Sequence, residues 1–402
     1  MQAELTLKKN PMAGLIEKLA AFEPADAPFI SLYLNAQADE RGRDNYGAFL
    51  KTELANAAAD FGGDTEQSES FKADVEKIEK YLSEEAHPEA NGIAIFACSG
   101  ADFFQTAQFE TKIENNRFFV FDRPYIYPLA RLIGQNPRFT VVQADTNHAN
   151  IYVFGNETNR IENDAPVETK VEEIHNVKTQ RQQAGGWSQQ RFQRRIENFH
   201  KEHAKEIADT LDKLVRDEHI EIIVLSGQEA KIVQLLNDQL TKAVQDKIVG
   251  TMNLDQYASE EELREAALEI VERFDREQDR EAVARMINAT ESSELGCYGV
   301  SKTLAALSNG QVEELLILAD PRRIRYSEEN VEKVLEAYAP GDDNSLTDAL
   351  PDTGETRQIL DELIKRAFNS AARIRFIEEN SLLSGAGGVG AIFRYKIEST
   401  AS

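Results

Sequence analysis

Between Lys178 and Lys205 the chain carries seven basic side chains, Lys178, Arg181, Arg191, Arg194, Arg195, Lys201 and Lys205, against two acidic ones, Glu197 and Glu202. The protein as a whole has 45 lysines and arginines against 70 aspartates and glutamates, a formal charge of −25 over 402 residues. A basic window in so acidic a chain is the largest local departure in the sequence. Closely spaced cations are what a phosphate backbone selects. Gln180, Gln182, Gln183, Gln189, Gln190 and Gln193 add amide donors and acceptors to the same stretch. At its centre stands Gly185-Gly186-Trp187-Ser188-Gln189-Gln190-Arg191. Gly185 and Gly186 lack a Cβ, so the backbone there accepts positive φ and can approach another backbone or a base closely. Trp187, the only tryptophan, offers an indole that can stack on an unpaired base. A polar loop followed by an amphipathic helix with a solvated basic face would show the same local features, which do not by themselves separate the two readings.

The elements that must position this segment are legible on either side of it. From Ser188 onward Phe192, Ile196, Phe199, His203 and Ile207 recur at three- and four-residue steps, and Leu211 and Leu214 continue the stripe. That helix gathers Arg191, Arg194 and Arg195 on its first turns. Upstream, Phe139–Gln143 and Asn150–Gly155 read as two strands of a hairpin around the polar turn Ala144–Ala149, and a polar region 156–183 follows. Downstream, the strand Ile220–Leu225 is closed by Ser226-Gly227, and a helix over 229–245 leads to a strand near Ile248. This alternation belongs to an α/β layer.

The flanking regions are also mixed α/β. Pro28–Leu34 and Ile93–Ala97 have strand composition, with helical polar segments such as Phe71–Leu82 between them. A short apolar segment, Tyr125–Ile133, precedes Gly134-Gln135-Asn136-Pro137, which marks a boundary. The charged stretch from Glu260 to about Arg285 reads as a helical bridge. A last α/β unit follows: Gly296–Val300, a helix Ser301–Ser308, a strand Glu314–Ala319, a loop over 340–356, a helix 357–368, and strands Arg373–Ile377 and Ala391–Tyr395. The expected fold class is α/β (mixed α+β) in three domains, 1–134, 135–275 and 276–402.

Several function classes are excluded or disfavoured. No apolar run approaches the roughly 18 residues of a membrane span, and the first nine residues carry no secretory pattern. Cys98 and Cys297 are far apart without metal-ligand spacing, which suits buried thiols in a reducing cytoplasm. A net charge of −25 argues against coating nucleic acid over the whole surface while leaving room for a local basic tip. His203 falls on the apolar stripe and reads as core, His200 reads as solvated or RNA-facing, and no carboxylate cluster accompanies them as a metal site requires. Ser188 has no histidine evidently placed to activate it. Gly385–Gly390 is followed by a strand and lacks Gly-Lys-Ser/Thr, so it is a tight connection rather than a phosphate-binding loop. No cofactor and no metal are expected.

Taken in order, these features resemble the class-one release factors of eukaryotes and archaea and their relative Pelota, with this chain as a bacterial member. In that family a Gly-Gly-Gln loop is followed by Ser, two small or apolar residues, Arg-Phe and a basic helix. Gly185-Gly186-Trp187-Ser188-Gln189-Gln190-Arg191-Phe192 keeps the glycines, the serine and Arg-Phe in register. Gly296-Cys297-Tyr298-Gly299-Val300 with Thr303-Leu304 and Ala306-Leu307 is similar to the aromatic-Gly-Val segment of the family's third domain. Gly387-Gly388-Val389-Gly390-Ala391-Ile392-Phe393-Arg394-Tyr395 is similar to its glycine-rich end before Leu-Arg-Tyr.

The resemblance implies a three-domain release-factor/Pelota-like architecture. Its N-terminal domain would face the decoding centre, and its middle domain would carry the Gly-Gly-Trp-Ser-Gln loop toward the peptidyl-transferase centre. Its C-terminal domain would dock a translational GTPase such as elongation factor Tu. The implied partners are the ribosomal A site on both subunits, ribosomal RNA and the P-site tRNA, with no membrane. The implied RNA-binding residues are Gly185, Gly186, Trp187, Ser188, Gln189, Gln190, Arg191, Arg194, Arg195, Lys178 and Arg181, joined by Arg41 and Arg43 in the polar stretch Asp39–Asn45.

Three departures bear on activity. Trp187 stands where release factors hold a catalytic glutamine, and an indole N–H donates but accepts nothing. The N-terminal domain has no Asn-Ile-Lys-Ser segment, and Tyr125-Ile126-Tyr127-Pro128-Leu129 occupies the place of the family's Tyr-x-Cys-x-x-x-Phe element. Two functions therefore stay open. One is a hibernation factor, part of a stress response, that occupies the A site and blocks translation without codon-specific termination. The other is a peptidyl-tRNA hydrolase or ribosome rescue/release factor with Gln189 as the catalytic residue.

Overall fold

The computed structural model describes residues 13–38, 46–61, 63, 65–88, 90–109, 112–135, 138–145, 148–154, 170–175, 189–217, 220–227, 230–254, 257–324 and 354–396. Within these, the side chains at 13, 135, 170–175, 189–197, 199, 230–232 and 354–357 fall outside the description. The fold is mixed α/β, with three sheets distributed over two compact units. One unit combines residues up to 136 with residues from 278 onward; the other is built from 137–155 and 166–277.

The first unit holds two four-stranded sheets. In one, β1 (Phe29–Asn35), β2 (Gly92–Cys98), β3 (Phe103–Phe109) and β4 (Arg117–Phe121) pair antiparallel in the order β3-β2-β1-β4. The two central strands are buried along nearly their whole length, which is why they read as continuous apolar runs. Ile30, Leu32, Leu34, Ile93 and Ile95 join one core with α2 (Gly47–Asp60) and α3 (Glu66–Glu84), which contribute Leu50, Leu54, Phe71 and Ile78. The alternate residues Phe29, Tyr33, Ala94 and Phe96 enter a second core with Leu15, Ile16 and Leu19 of α1 (Ala13–Ala20). Helix α3 begins earlier than its apolar residues suggest, because Thr65 caps it by accepting from the Ser68 N–H.

In the other sheet, β10 (Gly296–Tyr298), β13 (Val389–Phe393), β11 (Val312–Leu318) and β12 (Arg373–Ile377) lie in the order β10-β13-β11-β12. β11 and β12 run parallel, and β13 is antiparallel to both β11 and β10. The glycine-rich connection into β13 needs its glycines: Gly387 and Gly388 have φ of 73° and 83°, and a Cβ on Gly388 would meet Ile324 and Leu318. The last strand ends at Phe393 rather than Tyr395. Beyond it the Arg394 N–H still donates to the Gln311 carbonyl at 2.8 Å, while its guanidinium reaches the Ser370 and Ala371 carbonyls and the Tyr395 hydroxyl donates to the Asn309 carbonyl.

The second unit is a five-stranded sheet of order β7-β6-β5-β8-β9, comprising β5 (Phe139–Ala144), β6 (His148–Phe154), β7 (Lys170–His175), β8 (Ile222–Ser226) and β9 (Ile248–Met252). β5, β8 and β9 are parallel neighbours, while β6 pairs antiparallel with β5 and β7. The long helix α5 (Gln189–Asp217), with α6 (Ala230–Gln239) and α7 (Lys242–Gln245), covers one face through a core that includes Val142, Ile151, Ile207, Leu211, Leu225 and Leu236. The start of α8 (Glu260–Ser292) covers the other through Leu263, Ala267, Ile270 and Val271. The single helix expected over 229–245 is two helices. Thr241 adopts extended φ and ψ of −66° and 155°, and its hydroxyl donates to the Asp212 carboxylate of α5 at 2.6 Å, so a tertiary bond breaks the helix.

Candidate RNA-facing helix of the middle sheet

Helix α5 is 29 residues long, which at about 1.5 Å per residue is about 43 Å. The five-residue strand β8 that it lies over is roughly 17 Å long. The helix therefore has far more length than the sheet can bury. Its buried side chains among the described residues are His203, Ala204, Ile207, Ala208, Leu211 and Leu214, all in the later turns. On the opposite side Lys201, Glu202, Lys205 and Glu206 are exposed. The packed end is fastened by the Thr241–Asp212 bond and by Leu236, Leu240 and Val244 beneath it. The leading end holds the basic residues.

The boundary between the two ends lies at the β5–β6 hairpin turn. Asp145 closes that turn: its carboxylate accepts from the His148 N–H at 2.8 Å, its own N–H donates to the His148 carbonyl at 2.9 Å, and His148 Nδ1 lies 3.7 Å from the carboxylate. Against this turn sits His203, 1% exposed, with no hydrogen bond at either ring nitrogen. Burial holds its imidazole below the usual value, although the His148 backbone, Glu206 and Asp145 favour the charged form. His203 is thus a neutral core side chain, as its position on the apolar stripe implies. His200, one turn earlier, is half-buried, and its Nδ1 also makes no hydrogen bond. Among the described residues no group of three or more His, Cys, Asp and Glu side chains is placed to hold a metal ion. Both cysteines are free and buried; burial pushes the Cys297 thiol up to about 11 and raises that of Cys98, which favours the thiol over the thiolate at both.

Of the residues singled out by their sequence, Gln189, Gln190, Arg191, Arg194 and Arg195 lie on the first two turns of α5, with their side chains outside the described residues. The helix begins at Gln189, so positions 191, 194 and 195 share one side of it at i, i+3 and i+4. The amino end of a helix is also its electropositive end, which favours phosphate there. Lys178, Arg181, Gly185, Gly186, Trp187, Ser188, Arg41 and Arg43 lie outside the described residues. Sequence reasoning missed β7, which places His175 opposite His148 in the register of the sheet edge. Its Lys-Val-Glu-Glu-Ile-His composition has only two apolar residues to signal a strand.

A second arginine-rich cluster lies in the first unit and is built differently. Glu314 of β11 is 2% exposed and is met by Arg285 of α8 at 3.0 Å, Arg375 of β12 at 3.1 Å and Arg373 at 3.5 Å. Arg375 also reaches Asp279 at 3.3 Å. Burial alone would raise the Glu314 carboxyl, and the three guanidiniums outweigh it and hold it below its ordinary value. Burial prevails at Asp279, which is raised despite Arg375. This network pins α8 to the sheet.

Two family models match parts of this chain. Residues 124–272 match the bacterial archaeo-eukaryotic release factor family 10, and residues 277–397 match eRF1 domain 3. Among curated proteins, the chain is 31% identical over 117 residues to the eukaryotic peptide chain release factor subunit 1 of Saccharomyces cerevisiae, covering 25% of this chain and 26% of that protein. It is 23% identical over 239 residues to the same factor of Schizosaccharomyces pombe, covering 53% of this chain and 55% of that protein. The chain thus spans from about a quarter to about half of the length of these relatives. A solved structure of ribosome-bound archaeal Pelota with ABCE1 aligns with 99% of this chain and 96% of its own at 11% identity, with a TM-score of 0.41.

Proposed function

We propose that this protein is a ribosome A-site-binding translation factor, similar to the hibernation factor Balon, that occupies the site and blocks translation without reading a stop codon. The observation that carries this reading is the release-factor family match over 124–272, a segment that contains Gly185-Gly186-Trp187-Ser188 and the basic start of α5, with tryptophan in place of the catalytic glutamine. In release factors that glutamine's amide helps place the attacking water, which requires an acceptor that indole lacks. The glycines and the arginines of α5 suit a tip aimed at ribosomal RNA near the P-site tRNA. On the same reading the N-terminal domain sits toward the decoding centre, and the eRF1-like domain 3 docks a translational GTPase such as elongation factor Tu. The protein then works in the cytoplasm, under stress, in a three-domain arrangement with boundaries near 134 and 275.

One property of the described residues agrees with a factor that does not read codons. Tyr125, Ile126 and Tyr127, which stand where release factors hold a codon-reading element, are all buried. Among the described residues no helix is long and apolar enough to cross a membrane.

The test is co-sedimentation with ribosomes in a cell extract. Wild type should pellet with ribosomes, and Arg191→Glu, Arg194→Glu and Arg195→Glu together should leave it in the supernatant. If the wild-type protein stays in the supernatant, or the triple variant pellets equally well, the proposal fails. A second reading rests on Gln189, the first helical residue of α5, as the catalytic residue of a peptidyl-tRNA hydrolase or rescue factor. That reading requires wild type to release peptide from stalled complexes and Gln189→Ala to abolish release while binding persists.

A further inference from the structure

The segment Tyr125-Ile126-Tyr127 joins the N-terminal sheet to the C-terminal domain by an unusual route. Helix α4 (Tyr127–Gln135) starts directly after Ile126, which has no side-chain acceptor to cap it. The cap comes from Asp361, on the helix Gly354–Asn369: one carboxylate oxygen accepts from the Ile126 N–H at 2.9 Å and the Tyr127 N–H at 3.0 Å. These partners are 235 and 234 residues apart in sequence. The Tyr127 hydroxyl donates to the Leu318 carbonyl of β11 at 2.7 Å, and its ring meets Phe376 edge-on at 5.6 Å. On the other side, the Tyr125 N–H donates to Ser31 Oγ at 3.0 Å and its carbonyl accepts from the Tyr33 hydroxyl at 2.5 Å, both from β1. Further along α4, Leu129, Ala130 and Ile133 are buried in a core shared by both sheets, and a Cβ on Gly134 would lie 2.8 Å from the Phe376 ring.

We infer that Tyr125-Ile126-Tyr127, capped by Asp361, is a lock that makes the N-terminal sheet and the C-terminal domain respond as one body. Three residues have their polar groups bonded to β1 on one side and to β11 and the Asp361 helix on the other. Neither half can release the segment without orphaning buried donors. Asp361 is a positioning residue whose acceptor oxygen holds the start of α4. The charged and titratable groups around it are Arg123, Glu362, Tyr33 and Tyr127, and Arg123 already pairs with Asp122 at 2.9 Å. Burial therefore pushes the Asp361 carboxyl well above its usual range, so an amide, which keeps the acceptor oxygen and cannot ionise, should serve in its place. A load on either domain is then transmitted to the other through α4. The lock itself is independent of the proposed function; only its use during ribosome binding rests on that reading.

Amide hydrogen exchange on the full-length protein tests this. Asp361→Leu removes the acceptor and should speed exchange about tenfold or more in peptides covering 124–135, with a parallel rise in both β1 and β11. Asp361→Asn should keep wild-type protection in all three. Faster exchange confined to the Asp361 helix, or no rise in β1, would overturn the lock. Should Asp361→Leu fail to fold, Tyr127→Phe removes only the hydroxyl's bonds to the Leu318 and Ala319 carbonyls and should still loosen 124–135 and β11 together; unchanged exchange there would also overturn it. Ribosome co-sedimentation of the same variants is scored separately, so loss of the ribosome reading would leave the exchange result standing.

Discussion

Two arginine-rich regions of this protein show opposite uses of the same side chain. Around Glu314, Arg285, Arg373 and Arg375 converge on a buried carboxylate, with Asp279 as a second acceptor. On α5, Arg191, Arg194 and Arg195 stand in a window from Lys178 to Lys205 with only two acids in sequence, at the end of a helix much longer than the sheet it covers. The first arrangement satisfies its charges within the fold and holds α8 to β11 and β12. The second gathers basic residues in sequence at the start of α5, and in the proposed function ribosomal RNA supplies the balancing anion. Counting arginines would not tell these apart; the acids that accompany them in the fold around Glu314 and in the sequence around α5 do.

The contrast predicts effects of very different size. Reversing all three α5 arginines to glutamate should lower ribosome affinity by roughly a thousandfold at moderate salt and flatten its salt dependence, measured by filter binding across a salt series. The fold, followed by circular dichroism, should be unaffected. Glu314→Leu should do the reverse: it removes the buried acceptor shared by three guanidiniums, leaving Arg375 with Asp279, Arg373 with Glu313 and Arg285 half-exposed, and should cost about 1.5–3 kcal/mol in urea unfolding. Affinity of the folded fraction for ribosomes should stay the same, and a loss of affinity there would blur the distinction.

Asp74 sharpens the comparison from another side, as a buried acid without an arginine. Burial raises its carboxyl to about 6, although the Ser99 hydroxyl donates to it at 2.6 Å. A carboxyl raised in the folded state adds stability at low pH that is lost as pH climbs through its folded value. Thermal unfolding should therefore show the wild type weakening from about pH 4 to above pH 6, by on the order of 2–3 kcal/mol. Asp74→Asn keeps an acceptor for Ser99 and should remove that slope. The smallest effect belongs to the exposed Arg280–Glu379 pair, 3.0 Å apart, where Arg280→Ala should leave the urea midpoint essentially unchanged.

Much of this fold is legible in the sequence because its central strands are buried on both faces. β1, β2, β8 and β11 are short apolar runs bounded by turn residues, and the three- and four-residue stripe of α5 is plain from His203 to Leu214. The strands that escaped notice lie toward sheet edges. β3 carries Gln105, Thr106 and Gln108 among its phenylalanines, and β7 is largely charged, so neither presents a continuous apolar signal. Tyr125–Ile133 reads as a short apolar segment because the cap of α4 comes from Asp361, which no local pattern can reveal. The network around Glu314 is likewise invisible beforehand, since parallel pairing of β11 with β12 is what brings Arg373 and Arg375 to it. The candidate site is more legible than the Asp361 cap because its signal is local: two glycines, one tryptophan and a reversal of charge.

In the proposed function Trp187, and not Gln189, is the residue presented to the P-site tRNA. A ribosome-bound structure of the full chain decides it. The account predicts the Trp187 indole against ribosomal RNA near the 3′ end of the P-site tRNA, with the peptidyl ester intact. A Gln189 amide beside the ester carbonyl, or a tRNA already stripped of its peptide, would contradict it.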